Sequence, residues 1–273
     1  MSRVTILILL LISTPAFCKK LFDPNPELEK DTTKKVKIEH AEPVVNDLVT
    51  DLGSEKGDFN VNLSANFASG RTTYTNIDPQ LEIEYAPLRR FAVEVQIPYN
   101  IYFKSNEMMP SKHPDYIPNI QFTTQYTFYI NPKRKISMAG SYRYQLQFRD
   151  PATSEKKGIE NLSHFPFLIA AKNWNDKYHL MIMAGTQIVQ PLDTNQLAYS
   201  NQITTAFHKK IGNNNYVGIE VNKVLEEAEF GMVARPQAIY AVSEKLNVGL
   251  AVSIPFWYRE VRWGAFLRIT RSL

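Results

Sequence analysis

Cysteine is all but missing from this chain: Cys18 is the single one in 273 residues. A disulfide framework and a thiolate metal cluster are excluded on that count alone. An excess of one charge is missing too. Lys and Arg number 31 against 27 Asp and Glu, a net of +4, too balanced for a nucleic-acid binder. One apolar run opens the chain, and no second long one suits a bundle of membrane helices. A glycine-rich phosphate loop is absent as well. What is present, 44% apolar and 12% aromatic residues, rules out wholesale disorder.

The first eighteen residues read as a secretory signal peptide. Ser2 and Arg3 give a basic start, Val4 to Ile12 an apolar run too short to span a bilayer, and Ser13 to Cys18 a small-residue exit. Ala16 at −3 and Cys18 at −1 place cleavage after Cys18, whereas Phe17 fits a lipoprotein signal badly. Residues 19–57 differ from the rest. Asp23 to Pro26 and the lysine-rich stretch from Lys30 to Lys37 read as extended and solvated. Pro43, the apolar set Val45, Leu48, Val49 and Leu52, and a stop at Gly53 predict a short amphipathic helix.

From Asp58 onward the apolar period is two. Phe59, Val61, Leu63, Ala65 and Phe67 alternate with Asn60, Asn62, Ser64 and Asn66, and the pattern recurs in about twelve segments. These begin near residues 58, 78, 91, 117, 135, 164, 178, 198, 216, 229, 245 and 260. At around 10–14 residues each they exceed the roughly 5–6 of ordinary strands and can cross a bilayer at a tilt. Tight turns, such as Asn175 to Lys177 and Gly212 to Asn215, alternate with long polar connections at 104–116 and 149–163. A soluble sandwich would bring shorter strands and no such alternation. The expectation is therefore an all-β fold, a transmembrane antiparallel β-barrel of about 12 strands with a short N-terminal helical segment. Its parts are a signal peptide at 1–18, a periplasmic or plug segment at 19–57 and an outer-membrane barrel at 58–273. Tyr99, Phe103, Phe148, Phe256 and Tyr258 would form one aromatic belt; Phe59, Tyr85, Phe91, Tyr129, Trp174 and Tyr178 the other.

Two stretches carry a resemblance. His40-Ala41-Glu42-Pro43, with Leu52 to Val61 after it, resembles the start of a Bacteroidota outer-membrane family known for its HAEP segment. Leu81 to Tyr99 is similar to the second hairpin of outer-membrane transporters of the phenol-degradation (meta-pathway) type. The resemblance implies an outer-membrane location, and brings neither an established substrate nor catalytic residues.

If the apolar set faces lipid, the other set faces the lumen. Lumen-lining candidates are Glu82, Glu84, Glu94, Arg143, Lys172, Glu220, Arg235, Arg262 and Arg268. Mixed signs suit either an ion-pair lattice or a constriction selecting anionic or mixed-charge solutes. His179, Met181, Met183 and His208 fall on the lumen side, and pairing Gln187 with Ser200 would bring His179 opposite His208. That set could bind a soft metal; with Lys172 expected beside it, the reading is no metal and no cofactor. His40, between Glu39 and Glu42, reads as a surface histidine. Ser163-His164 is the one adjacent Ser–His pair, and strand neighbours point to opposite faces, so an enzyme is not expected. The expected function is a passive channel or transporter for small solutes, with outer-membrane lipid as its surroundings. The rival is a closed structural or surface-binding barrel acting through its outer loops.

Overall fold

The structure, a computed structural model, describes residues 38–46, 48–49, 51–70, 74–104, 114–194, 196–212, 214–226, 229–257 and 261–273. The signal segment, the lysine-rich stretch to residue 37, most of the 104–116 loop, Tyr258 and the side chain of Arg262 lie outside the described residues.

Thirteen strands follow in chain order: β1 (Phe59–Gly70), β2 (Tyr74–Leu88), β3 (Phe91–Pro98), β4 (Ile101–Lys104), β5 (Asn119–Asn131), β6 (Ile136–Phe148) and β7 (Ile159–Trp174) come first. Then come β8 (Tyr178–Pro191), β9 (Ala198–Ile211), β10 (Asn215–Glu226), β11 (Glu229–Ser243), β12 (Leu246–Pro255) and β13 (Val261–Ser272). β3 and β4 both pair with β2 and are two stretches of one stave, interrupted just after Pro98, which has no N–H to give a ladder. Each stave pairs antiparallel with the next, and β1 pairs with both β2 and β13. Among the described residues the result is a closed twelve-stave meander, in which the short β4 pairs on one side only.

The tight turns have a backbone reason. Asn175 and Asp176 both take positive φ, 54° and 56°, with Lys177 N donating to Trp174 O at 3.1 Å, a type I′ turn matched to strand twist. Alternation along the staves then sorts the two faces. Leu63, Ile83, Phe122, Leu168, Ile203 and Leu250 stand exposed on the outside, where lipid would solvate them. Tyr85, Tyr129, Trp174 and Tyr178 are exposed near the tight-turn end, and Tyr99, Phe103, Phe256 and Trp257 near the long-loop end, which makes two aromatic girdles.

Buried apolar side chains lie inside the barrel, and residues 38–57 supply several of them. Leu48 and Leu52, each 1% exposed, pack on Phe167, Ile169, Met181 and Met183. Val44 meets Ala251 and Phe266, while Val49 meets Ala86 and Ala92. The segment thus packs on the inward faces of the wall, and its described residues include bends and turns. Here the wall surrounds the segment, so Val44, Leu48 and Val49 point to three different arcs of it. The helix expected over 43–52 includes residues 47 and 50, which lie outside the described residues.

Candidate functional site: a plugged lumen

The plug is fastened by hydrogen bonds to the inward side chains of many staves. Glu39 accepts from Lys210 Nζ at 3.1 Å and from the Tyr216 hydroxyl, and its carbonyl accepts from Asn173 Nδ2 at 2.9 Å. His40 Nε2 meets Ser137 Oγ at 2.9 Å. Ala41 N donates to His179 Nδ1 at 3.0 Å, and Val44 N to Gln237 Oε1 at 2.8 Å. Asn46 Nδ2 donates to Glu220 Oε1 at 2.5 Å. Gln125 closes a pair with the backbone of Val49, accepting at 3.3 Å and donating at 3.1 Å. Backbone polar groups that leave regular structure inside a barrel must find partners, and these side chains supply them.

His40 is therefore not a surface residue. It is 6% exposed, inside the lumen, where burial first and the nearby His179 second lower its pKa from 6.5 to about 4. Its neighbours in the plug, Glu39 and Glu42, were a misleading guide, because a tertiary partner decided its burial.

Seven of the lumen candidates share the inward face: Glu82, Glu84, Glu94, Arg143, Glu220, Arg235 and Arg268. The carboxylates of Glu82, Glu84 and Glu94 lie within 4.8 Å of one another, all three residues buried. Arg268 Nη2 donates to both oxygens of Glu82 at 3.1 and 3.2 Å, and Asn60 donates to Glu84 at 2.9 Å. Thr123 Oγ1 donates to Glu94 at 3.1 Å and accepts from Arg143 Nε at 3.4 Å. Arg235 Nη1 meets Glu220 at 2.9 Å. This is an ion-pair and amide lattice bracing the mid-lumen, with the Arg268 guanidinium on Glu82.

Lys172 is a correction. It shares the outer face with Trp174, whose ring its Nζ overlies at 5.8 Å, and it donates to the Arg134 carbonyl at the rim. Asn173 is the inward residue there, paired with His179. Arg262 lies on β13, but its side chain is outside the described residues. His179 does pair with His208, and Gln187 with Ser200. Both imidazoles serve the plug: Gln237 Nε2 contacts His208 Nε2 at 2.8 Å while its oxygen holds Val44 N. Met181 and Met183 pack on Leu48 and Leu52. Ser163 faces in and His164 out, against the Tyr142 hydroxyl at 2.6 Å, so that pair is split by the sheet.

Sequence reasoning missed the plug's seat: Gln125, Ser137, Gln237, Phe167 and Ile169. A signal existed. β7 and β8 carry apolar residues on both faces toward the tight-turn end, as strands do when covered on both sides.

The plug does not fill the cross-section. A cavity of about 250 Å³ remains between it and the β1, β2 and β11–β13 arc, lined by Asp51, Asn62, Glu84, Asn247, Arg268 and Thr270 among others. Above the plug, toward the long loops, many inward residues are polar and half-buried. Every strand from β1 to β10, the short β4 apart, sends an Asn or Gln inward at that level. Several are linked: Gln202 donates to Gln187 at 2.8 Å, Gln187 to Ser163 at 2.9 Å, and Asn161 to Gln147 at 3.0 Å.

Comparisons with known proteins agree with this architecture. An outer-membrane channel from Pseudomonas putida F1 superposes with a TM-score of 0.62 at 11% identity, covering 82% of this chain and 98% of that one. The KdgM porin in complex with disordered oligogalacturonate gives 0.55 at 10% identity, with 78% and 99% covered. The NanC porin gives 0.55 at 8% identity, with 78% and 98% covered. At such identities the likeness concerns the fold, that of outer-membrane barrels. A search of curated proteins finds no match. The family model described as HAEPLYID-like matches residues 36–271, from just before the plug's His-Ala-Glu-Pro stretch to the end of the last stave, and the chain belongs to that family.

Proposed function

We propose that this protein is a passive outer-membrane channel for small solutes, held closed at rest by its own residues 38–57. Export would remove residues 1–18 and leave the tight-turn end, with the plug, facing the periplasm. One observation carries the reading: besides its apolar contacts, the plug is joined to the wall at many points by side-chain hydrogen bonds, which water can replace, beneath an outer lumen rich in half-buried amides. Net hydrogen bonds of this kind are worth about 0.5–1.5 kcal/mol each, so each one taken singly is exchangeable for water. The seven inward charges, mixed in sign, would then screen what passes.

A tether tests it. The Val44 Cβ lies 3.6 Å from where a Cβ on Gly249 would stand, within the roughly 3.5–4.5 Å a disulfide spans. The double variant Val44→Cys/Gly249→Cys is expected to show conductance steps in planar bilayers when reduced and none when oxidised. A barrel that stays silent in the reduced form, and in Asn46→Ala/Gln125→Ala as well, is a closed structural barrel.

A further inference from the structure

The amides above the plug make a surface of one chemical kind. Gln121 and Gln145 face each other across β5 and β6, and the chain of contacts continues through Ser163 and Gln187 to Gln202 on β9. An ionic solute leaving bulk water needs opposite charge on the wall, and an apolar one needs a dry wall. The side chains of this arc are neither charged nor apolar, and Arg143, one inward position deeper on β6, is engaged by Thr123. A side-chain amide donates and accepts from one group, as a hydroxyl does, so amide–amide contacts can be exchanged for amide–hydroxyl contacts at little net cost. At the mouth, Tyr102 and Tyr116 stack with ring centroids 6.5 Å apart and planes 8° apart, and Asn100 Nδ2 donates to the Tyr102 hydroxyl at 3.2 Å. Tyr102 shares the inward face with its partner Asn76. Aromatic rings present a flat surface for the C–H faces of a sugar ring, beside amides that take its hydroxyls.

We infer that the amide collar is a binding site for neutral polyhydroxylated solutes, short uncharged oligosaccharides in particular. The inference rests on the channel reading for its biological use, since it names what that channel would admit. The binding itself does not require passage.

The test is calorimetric titration of the full processed chain in detergent with maltotriose, xylotriose and trigalacturonate. The neutral trisaccharides are expected to bind, and trigalacturonate at least tenfold more weakly. Gln121→Leu/Gln145→Leu should lose at least tenfold in affinity, with Gln190→Leu, an amide on the outer face, as the unchanged control. Should the double variant misfold by heat-modifiable gel migration, Tyr102→Leu replaces it, with a loss of the same sense. Tighter binding of trigalacturonate, or no heat with any of the three sugars, overturns the inference. A protein that binds maltotriose but is silent in bilayers loses the channel reading alone. One that conducts without binding loses the collar alone.

Discussion

Two histidines in the wall have their tautomers dictated by the plug. Ala41 N–H can be accepted at His179 Nδ1 only if that nitrogen carries no proton. Gln237 gives its oxygen to Val44 N–H, so its NH₂ faces His208 Nε2, which must also be bare. His40, inside the plug, belongs to the same neutral group, with a pKa lowered to about 4. For a histidine depressed below its unfolded value of 6.5, the stabilisation is present above 6.5 and is lost as pH falls toward 4. The thermal midpoint of the purified barrel should therefore drop between pH 6.5 and 4, and the drop should be smaller in His40→Gln. Identical pH profiles for the two proteins would remove His40 from the account. Arg235 and Glu220 make a second residue-scale case. Glu220 is fully buried, and Arg235→Ala would leave its carboxylate, among the described residues, with Asn46. A cost of about 3–5 kcal/mol is expected in urea unfolding, with partial recovery in Arg235→Ala/Glu220→Gln.

At the scale of elements, most stave starts could be read to within a few residues, because period-two patterning and turn chemistry agree there. Tyr178, Ala198 and Glu229 open strands where the pattern placed them. β7 begins at Ile159, ahead of the expected 164, since Glu160 and Asn161 hid its start. Faces were harder where both are apolar. Phe167, Ile169 and Ala171 point in while Leu168 and Ala170 point out, so hydropathy could not assign Lys172 one residue further on. The plug's seat was out of reach for another reason: its partners are up to 193 residues away in sequence. Close approach of staves leaves its own test. A Cβ on Gly218 would lie 2.3 Å from the Phe207 carbonyl oxygen and 2.5 Å from the His208 ring. Gly218→Ala must part β9 from β10 or turn His208 away from Gln237. A loss of about 1–3 kcal/mol in urea unfolding is expected, with far-UV circular dichroism of the folded form unchanged.

For the whole molecule, plug and barrel complete each other. The wall's inward apolar patch of Phe167, Ile169, Met181 and Met183 would meet water without Leu48 and Leu52, and Gln125, Gln237 and Glu220 would lose plug partners. Closure of the sheet does not depend on the plug, since β1 pairs with β13 directly and Leu273 N donates to Phe59 O at 3.0 Å. Deleting residues 19–52 keeps Gly53–Gly57, whose backbone bonds join the β2–β3 turn: Arg90 N to Ser54 O and Gly57 N to Ala86 O, both at 2.8 Å. The deleted barrel should therefore still show heat-modifiable migration, with a lower unfolding midpoint and larger conductance than the full chain. A synthetic peptide of residues 38–52 added from the tight-turn side should restore closure, because the seat it fits is built by the wall alone. The same peptide with Val44, Leu48 and Leu52 changed to Ser should not. Conductance equal to that of the full chain after the deletion would mean that closure resides in the mid-lumen lattice of Glu82, Glu94, Arg143 and Arg268, and not in the plug.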